Sequence, residues 1–309
     1  YKLIEKELRK ENVDIILFRY PPANKYLYKL VREYKDKIVF EHNTKELEEI
    51  KYGGENTKLN EFVYNCERIY GPKVLKCAKG IVGVTNEITR YELQRSKNST
   101  LKSATISNGI AVNKFRLRTP PIYDRTNLNI LMLCGSPVVW HGEDLVIKGL
   151  AEYKGNIKIH FYIVGSVLES SKDLVKKLSL ENKVSFVPSL SGNKLDEIFD
   201  KVHIGIGTMG LFRKKLTEAV SLKVREYMAR GLPFVLGYND PDLINEKGKS
   251  LFLNYISQEC PARIEDFVKF AEKVYQYPDH HIKLRELAME RVNSSLKMIE
   301  LKKFIESLV

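Results

Sequence analysis

Leu128-Asn-Ile-Leu-Met-Leu-Cys134 is a short apolar run, followed by the helix-like Asp144–Tyr153 and by a second apolar run, Ile157–Val164. Short apolar runs bounded by turn signals read as buried strands, and strands alternating with helices imply βαβ units with a parallel sheet. The alternation continues downstream. A helix at Lys172–Leu178, a strand at Val184–Val187, a helix at Leu195–Lys201 and a strand at His203–Gly207 come next. A helix near Leu222–Arg230, a strand at Pro233–Leu236 and closing helices at Ile264–Tyr275 and Ile282–Leu308 finish the series. The same pattern stands upstream. Strands at Asp14–Phe18, Lys37–Glu41, Gly80–Thr85 and Ala104–Gly109 are separated by helix-like Tyr26–Tyr34, Asn60–Lys79 and Glu87–Gln94, and Tyr1–Glu11 also reads as helix. Between the two series, Ala111–Asn127 holds Arg116, Arg118, Pro120 and Pro121 with few periodic apolar positions, which reads as a linker. The expectation is two doubly wound α/β domains, 1–115 and 128–309, joined by 116–127, with ligands at the carboxyl ends of their strands.

Composition agrees with that division. The chain has 309 residues, 43% of them hydrophobic, and single cores stop growing near ~250–300 residues. Its formal charge of +12, from 51 Lys+Arg against 39 Asp+Glu, predicts anionic company: nucleotide phosphates, nucleic acid or an acidic membrane surface. Nucleic acid is the weakest of these, because the basic residues are spread out and no recognised motif interleaves them with aromatics. The cysteines at 66, 77, 134 and 260 lack the spacing of a zinc site or a disulfide framework and read as reduced thiols. No apolar run approaches the ~18–20 residues of a membrane span, and no signal peptide is visible, so a soluble cytoplasmic protein is expected.

The densest stretch chemically is Arg213-Lys-Lys-Leu-Thr-Glu218-Ala-Val-Ser221-Leu-Lys223-Val-Arg225-Glu226-Tyr-Met-Ala-Arg-Gly231-Leu-Pro233. Ser221 is a good helix N-cap and Gly231 a good stop. Yet Lys223 and Arg225 put positive charge at the positive end of the helix dipole. A bound anion would resolve the mismatch, since free N–H groups at a helix start suit phosphate; solvent-facing side chains would resolve it equally well.

Glu218 and Glu226, with seven residues between them and Tyr-Met-Ala-Arg-Gly-Leu-Pro after, resemble the EX7E signature of retaining glycosyltransferases of the GT-B fold, particularly glycosyltransferase family 4, the group 1 enzymes. The likeness recurs in order along the chain. Lys79–Thr85, Thr105–Ile110 with Phe115, Ile130–Gly135, Trp140–Asp144 and Phe161–Gly165 resemble successive segments of that family, and the Trp140-His-Gly-Glu-Asp form looks like a bacterial polysaccharide subgroup. The resemblance implies two facing Rossmann-like domains with a nucleotide sugar in the cleft, no metal and no further cofactor. It implies that Glu226 bonds the ribose, Glu218 and His42 the transferred sugar, and that Ser221 and Leu222 meet the diphosphate at the helix start. Gly135 and Ser136 would lie beside the donor.

Two departures from the family pattern matter. Many members carry an Arg after the first C-domain strand's glycine and a later Lys as a diphosphate clamp, whereas here stand Ser136 and His141. Replacement cations would be Lys223, Arg213, Lys214, Lys215 or a protonated His141. The glycines Gly205, Gly207 and Gly210 would let ligand and backbone approach closely. The second departure is at the front, where the first strands of the N-terminal domain find no counterpart, so that domain is expected to be incomplete. Asp240-Pro-Asp242 reads as a turn, not a metal triplet. The activity implied is sugar transfer from a nucleotide diphosphate sugar to a saccharide or lipid-linked acceptor, with peripheral contact to an acidic membrane; the alternative is a non-catalytic or partner-dependent nucleotide-sugar-binding module of the same fold. An epimerase or phosphorylase of the same architecture would differ by its products.

Overall fold

The computed structural model describes residues 13–52, 57–243, 251–256 and 258–309; the helix expected at Tyr1–Glu11 lies outside them. The chain divides into two units, one of Tyr1–Ser107 with Lys297–Val309, the other of Asn108–Leu296.

The first unit is a four-stranded parallel sheet in the order β1-β2-β3-β4, from Ile16–Arg19, Ile38–His42, Gly80–Gly83 and Lys102–Thr105. Helices α1 (Lys25–Glu33), α2 (Glu46–Tyr52), α3 (Lys58–Lys76) and α4 (Asn86–Ser96) connect the strands. Local chemistry sets the starts of three of them. Asn24 caps α1 by accepting from the Tyr26 and Leu27 amides, and Thr57 and Thr85 cap α3 and α4 through the Asn60 and Ile88 amides. Val31, Phe40, Leu75 and Ile81 are the fully buried centre of this unit.

The second unit is a six-stranded sheet, all parallel, in the order β10-β9-β8-β5-β6-β7. Its strands are β5 (Asn127–Cys134), β6 (Lys158–Gly165), β7 (Val184–Val187), β8 (Ile204–Ile206), β9 (Phe234–Leu236) and β10 (Phe252–Asn254). Between them lie α5 (Glu143–Glu152), α6 (Glu169–Lys177), α7 (Gly192–Lys201) and α8 (Leu222–Arg230), followed by α9 (Ile264–Val274), α10 (His280–Arg291) and α11 (Ser294–Glu306). Strand order reverses direction between β5 and β8, which is the switch point where such sheets open. The opening is visible in the register. β5 pairs with β6 over eight residues, but with β8 only at Ile130↔Ile204 and Leu131↔Gly205. Beyond that point the buried Tyr227 hydroxyl fills the gap, accepting from the Leu133 amide (3.0 Å) and donating to the Ile206 carbonyl (3.2 Å).

Both sheets are Rossmann-like and follow the expected alternation, but the boundaries differ from 1–115, 116–127 and 128–309. The segment after Ser107 is fastened to the second unit. Ile110 N donates to Val292 O, and Val112 is fully buried. The buried Arg118 guanidinium donates to the Phe199 and Val202 carbonyls and to Tyr275 Oη, while Arg285 reaches the Val112, Phe115 and Ala229 carbonyls. Arginines holding carbonyls leave no apolar period, so the stretch resembles a linker in sequence. At the other end the expected helix Ile282–Leu308 is two helices, and the later one joins the first unit, where Phe304 and Leu308 pack with Val39 and Val82.

Tyr227→Phe keeps the ring but leaves the Leu133 amide and the Ile206 carbonyl without their partner. Equilibrium denaturation should show a loss of about 1–3 kcal/mol with an unchanged denaturant slope. An unchanged midpoint would mean that the hydroxyl is not needed to bridge β5 and β8.

Candidate active site

The carboxyl ends of β5 and β8 emit two loops that are joined backbone to backbone. Met209 N donates to His141 O (2.8 Å) and Gly210 N to Trp140 O (3.2 Å). This contact requires glycine at 142, which has φ +71° and where a Cβ would meet Gly210 N at 2.4 Å; one on Gly210 would sit tightly, 3.0 Å from Val139 O. Gly205 is similarly pressed against the Tyr227 ring, and Gly207 against the Val235 carbonyl. These glycines therefore accommodate the protein's own atoms, not the ligand that the sequence suggested. Gly135 is the exception, with nothing within 4 Å of an added Cβ; Ser136 beside it is exposed.

α8 starts beside these loops. The Ser221 side chain makes no capping bond, and the Val224 and Arg225 amides both turn back to Ser221 O. The amides of Leu222 and Lys223, at the first two helical positions, have no acceptor within the helix. Lys223 Nζ lies 2.8 Å from His141 Nδ1. An ammonium can only donate, so His141 accepts at Nδ1 and carries its proton on Nε2. Burial, then the neighbouring Lys223 charge, push the His141 pKa down to about 3. That corrects the expectation of a protonated His141, which adds no positive charge of its own beside Lys223. Burial also lowers the Lys223 pKa and raises that of the adjoining Cys134 thiol to about 11.

The charge at the start of α8 is resolved partly within the protein. Arg225 is fully buried and bidentate to Asp240, at 2.7 and 3.0 Å, with a further bond to Asp242 (2.5 Å) and one from Nε to Asn108 O (3.1 Å). A bound anion is not needed to neutralise Arg225. Asp240-Pro-Asp242, read as a turn in the sequence, is thus the counter-ion of a helix fifteen residues earlier. Arg213, expected at a diphosphate, is instead bonded to Asp144 at 2.8 and 2.9 Å, to Val139 O (2.7 Å) and to Glu259. Lys214 is buried with its ammonium 4.3 Å from the Trp140 ring centroid. Lys215 is exposed and left-handed, at φ 54°.

The two signature carboxylates lie at opposite ends of the same stretch. Glu218 forms a parallel bridge with Asn239, flanked by Asn239 N→Thr217 O and Ala219 N→Asn239 O, so it is held extended beside the segment after β9. Glu226 is half-buried on α8 and accepts from Arg230 Nε at 2.8 Å. Arg230 is in turn paired with Asp196 and stacked on the Phe199 and Phe115 rings. The structure thus brings Gly135, His141, Ser221, Leu222 and Lys223 to one end of the second unit's sheet and diverts Arg213.

His42 belongs to the first unit, as the last residue of β2, with no accessible surface. Its ring lies 4.3 Å from Tyr20, with Nδ1 3.6 Å from Glu46 Oε1 and 3.9 Å from Glu92 Oε1. Burial pushes the His42 pKa down to about 4 and that of Glu92 up to about 7; Arg95 pairs with both Glu92 and Glu67. Glu41, the residue before it, is half-buried on β2.

Residues 125–247 match the family model "Glycosyl transferases group 1". No curated protein sequence matches the chain. Among solved structures, HepE of Anabaena in complex with UDP and glucose is 13% identical with a TM-score of 0.62, covering 91% of this chain and 81% of that one. The lipopolysaccharide outer core galactosyltransferase WaaB, in apo form, is 15% identical with a TM-score of 0.64, covering 100% and 79%. A glycosyltransferase from Rickettsia africae is 16% identical with a TM-score of 0.66, covering 99% and 80%. The fold is that of GT-B glycosyltransferases, and the matched segment contains both loops and α8, while Asn108, Phe115 and Glu259, which contact them, lie outside it. Together the comparisons show a GT-B fold whose residues 125–247 match the group 1 glycosyltransferase model.

Two measurements check this geometry. Asp240→Ala strands the buried Arg225 charge and should cost about 3–5 kcal/mol in denaturant unfolding; a loss under ~1 kcal/mol would show that Asp242 alone suffices. Imidazole NMR should find His141 neutral down to about pH 3, protonated only on Nε2. Lys223→Met removes a repelling charge, so the His141 pKa should rise towards its usual 6.5; a fall or no change would contradict the pairing.

Proposed function

We propose that this chain is a retaining glycosyltransferase, of the family 4 kind, that moves a sugar from a nucleotide diphosphate sugar to a hydroxyl of a saccharide or lipid-linked saccharide without a metal ion. The observation that carries the reading is the Lys223 ammonium, steered by His141 to the open amino end of α8, inside the segment matched by the group 1 model. Free amides, a helix dipole and a desolvated cation converge there, which suits a diphosphate before and after it leaves.

In this reading Lys223 and the Ser221–Leu222 backbone bind the diphosphate. Glu226 accepts from the ribose hydroxyls, a strong bond because the carboxylate is ionised. Glu218 orients the transferred sugar; His42, with no accessible surface, is not given that role. The bond from the anomeric carbon to the phosphate oxygen breaks, its electron pair stays with the diphosphate, and the acceptor oxygen bonds to the same face. The acceptor's proton passes to the leaving phosphate oxygen. Lys223 here takes the place of the clamp residues that Ser136 and His141 replace. The protein then serves polysaccharide or glycan synthesis in the cytoplasm, its basic excess favouring an acidic membrane surface that carries the acceptor.

Turnover of UDP-, GDP-, ADP- and TDP-sugars, followed by product release, tests the reading. Lys223→Met should lower the rate about 10²–10³-fold, as loss of one transition-state charge partner does elsewhere. Glu226→Gln should weaken donor binding roughly tenfold with a smaller effect on the rate at saturation. Donor binding without turnover by the unaltered chain would leave only a nucleotide-sugar-binding module, and no binding of any of the four would sink both.

A further inference from the structure

Parallel sheets are ordinarily covered on both faces, and their strands read as near-continuous apolar runs. The amino ends of β5 and β6, and the entry to β7, do not. Register sets Asn127 beside Lys158, Asn129 beside His160, and Tyr162 beside Ser185, all on one face. Leu128, Ile130, Ile159, Phe161 and Val184 take the opposite face and belong to the core. Alternation puts Lys183 on the polar face with Ser185. The polar side borders a cavity of about 600 Å³, walled further by Tyr153 and Asn156 of the turn between α5 and β6 and by Asn182. Such a volume lies within the ~300–1,000 Å³ of small-molecule sites.

Its chemistry is specific. Asn156, Lys158, Asn182 and Lys183 make no side-chain hydrogen bond or ion pair among the described residues, and no carboxylate is among the described residues that line the cavity. Other members are held in place: Asn129 Nδ2 donates to Lys201 O (2.8 Å), and His160 Nε2 lies 2.8 Å from Ser185 Oγ with its ring 4.5 Å from that of Tyr162. Amides that offer both a donor and an acceptor match the paired hydroxyls of a sugar, and flat rings match its C–H face. Two ammonium groups without a counter-ion call for a negative charge on that sugar.

The geometry points to a second binding site, for an anionic saccharide such as a uronate-bearing glycan, at the amino ends of the strands whose carboxyl ends carry Lys223 and His141. It stands independently of sugar transfer; under the function proposed above, its occupant is a distal part of an acidic acceptor. Single-stranded nucleic acid would also meet rings and lysines, but its affinity comes from many neutralised phosphates, and two lysines supply few.

Calorimetric titration of the full chain with oligogalacturonate, neutral malto-oligosaccharide and oligo(dT) decides. The site predicts that oligogalacturonate binds, that the surface double substitution Lys158→Gln, Lys183→Gln weakens it by about tenfold or more, and that UDP binding is unchanged in that variant. Failure of oligogalacturonate to bind, equal binding of the neutral oligosaccharide, equal binding of oligo(dT), or indifference to the double substitution would each overturn the assignment. Loss of UDP binding in the unaltered chain would count against the transferase reading alone.

Discussion

The second unit depends on a buried ion pair. Arg225 lies inside α8 with no exposed surface, and a lone guanidinium there would cost several kcal/mol of desolvation. Asp240 and Asp242 offset that cost by geometry: two parallel bonds to one carboxylate, a third to the next, and a fourth to the Asn108 carbonyl. Since α8 also carries Lys223, Glu226 and Tyr227, fixing Arg225 fixes all three. The helix start stays open because its own cation is neutralised elsewhere.

Tyr227, two residues on, completes the arrangement. β5 and β8 part after two paired residues, and unpaired backbone groups at a buried edge need partners. The tyrosine hydroxyl supplies one for each strand, so the sheet can open without losing hydrogen bonds. Gly205 permits it, because any side chain there would strike the ring. Ion pair, wedge and glycine together make an opening at the switch point that is rigid, and a rigid site orders a ligand without first ordering itself.

The alternation of apolar runs and amphipathic stretches made both sheets legible, because buried strand and helix each impose a period on the sequence. What escaped was held by charge. Arg118 and Arg285 bind carbonyls across the second unit, yet arginine is ordinarily exposed and its neighbours show no period, so Ala111–Asn127 reads as a linker. Asp240 and Asp242 looked like a turn because nothing local says that a buried arginine lies against them. Arg213 reads from the sequence as a ligand contact, because nothing near it in the chain says that Asp144 and Glu259 hold it. β10 is no shorter than β8 and β9, but the sequence sets no helix before it, so the alternation that locates those two gives no sign of it.

The net charge of +12 divides accordingly. Arg118 and Arg225 act inside the protein, one through carbonyls and one through carboxylates, and present nothing to a partner. Arg213 is bidentate to Asp144. Lys223 differs, since its acceptor is a neutral imidazole, which directs the ammonium without cancelling it. Lys158 and Lys183 differ again, standing at a polar sheet face with no acceptor of their own. A count of basic residues treats these alike; burial and the charge of the partner separate cations that stabilise the fold from those left to meet an anion.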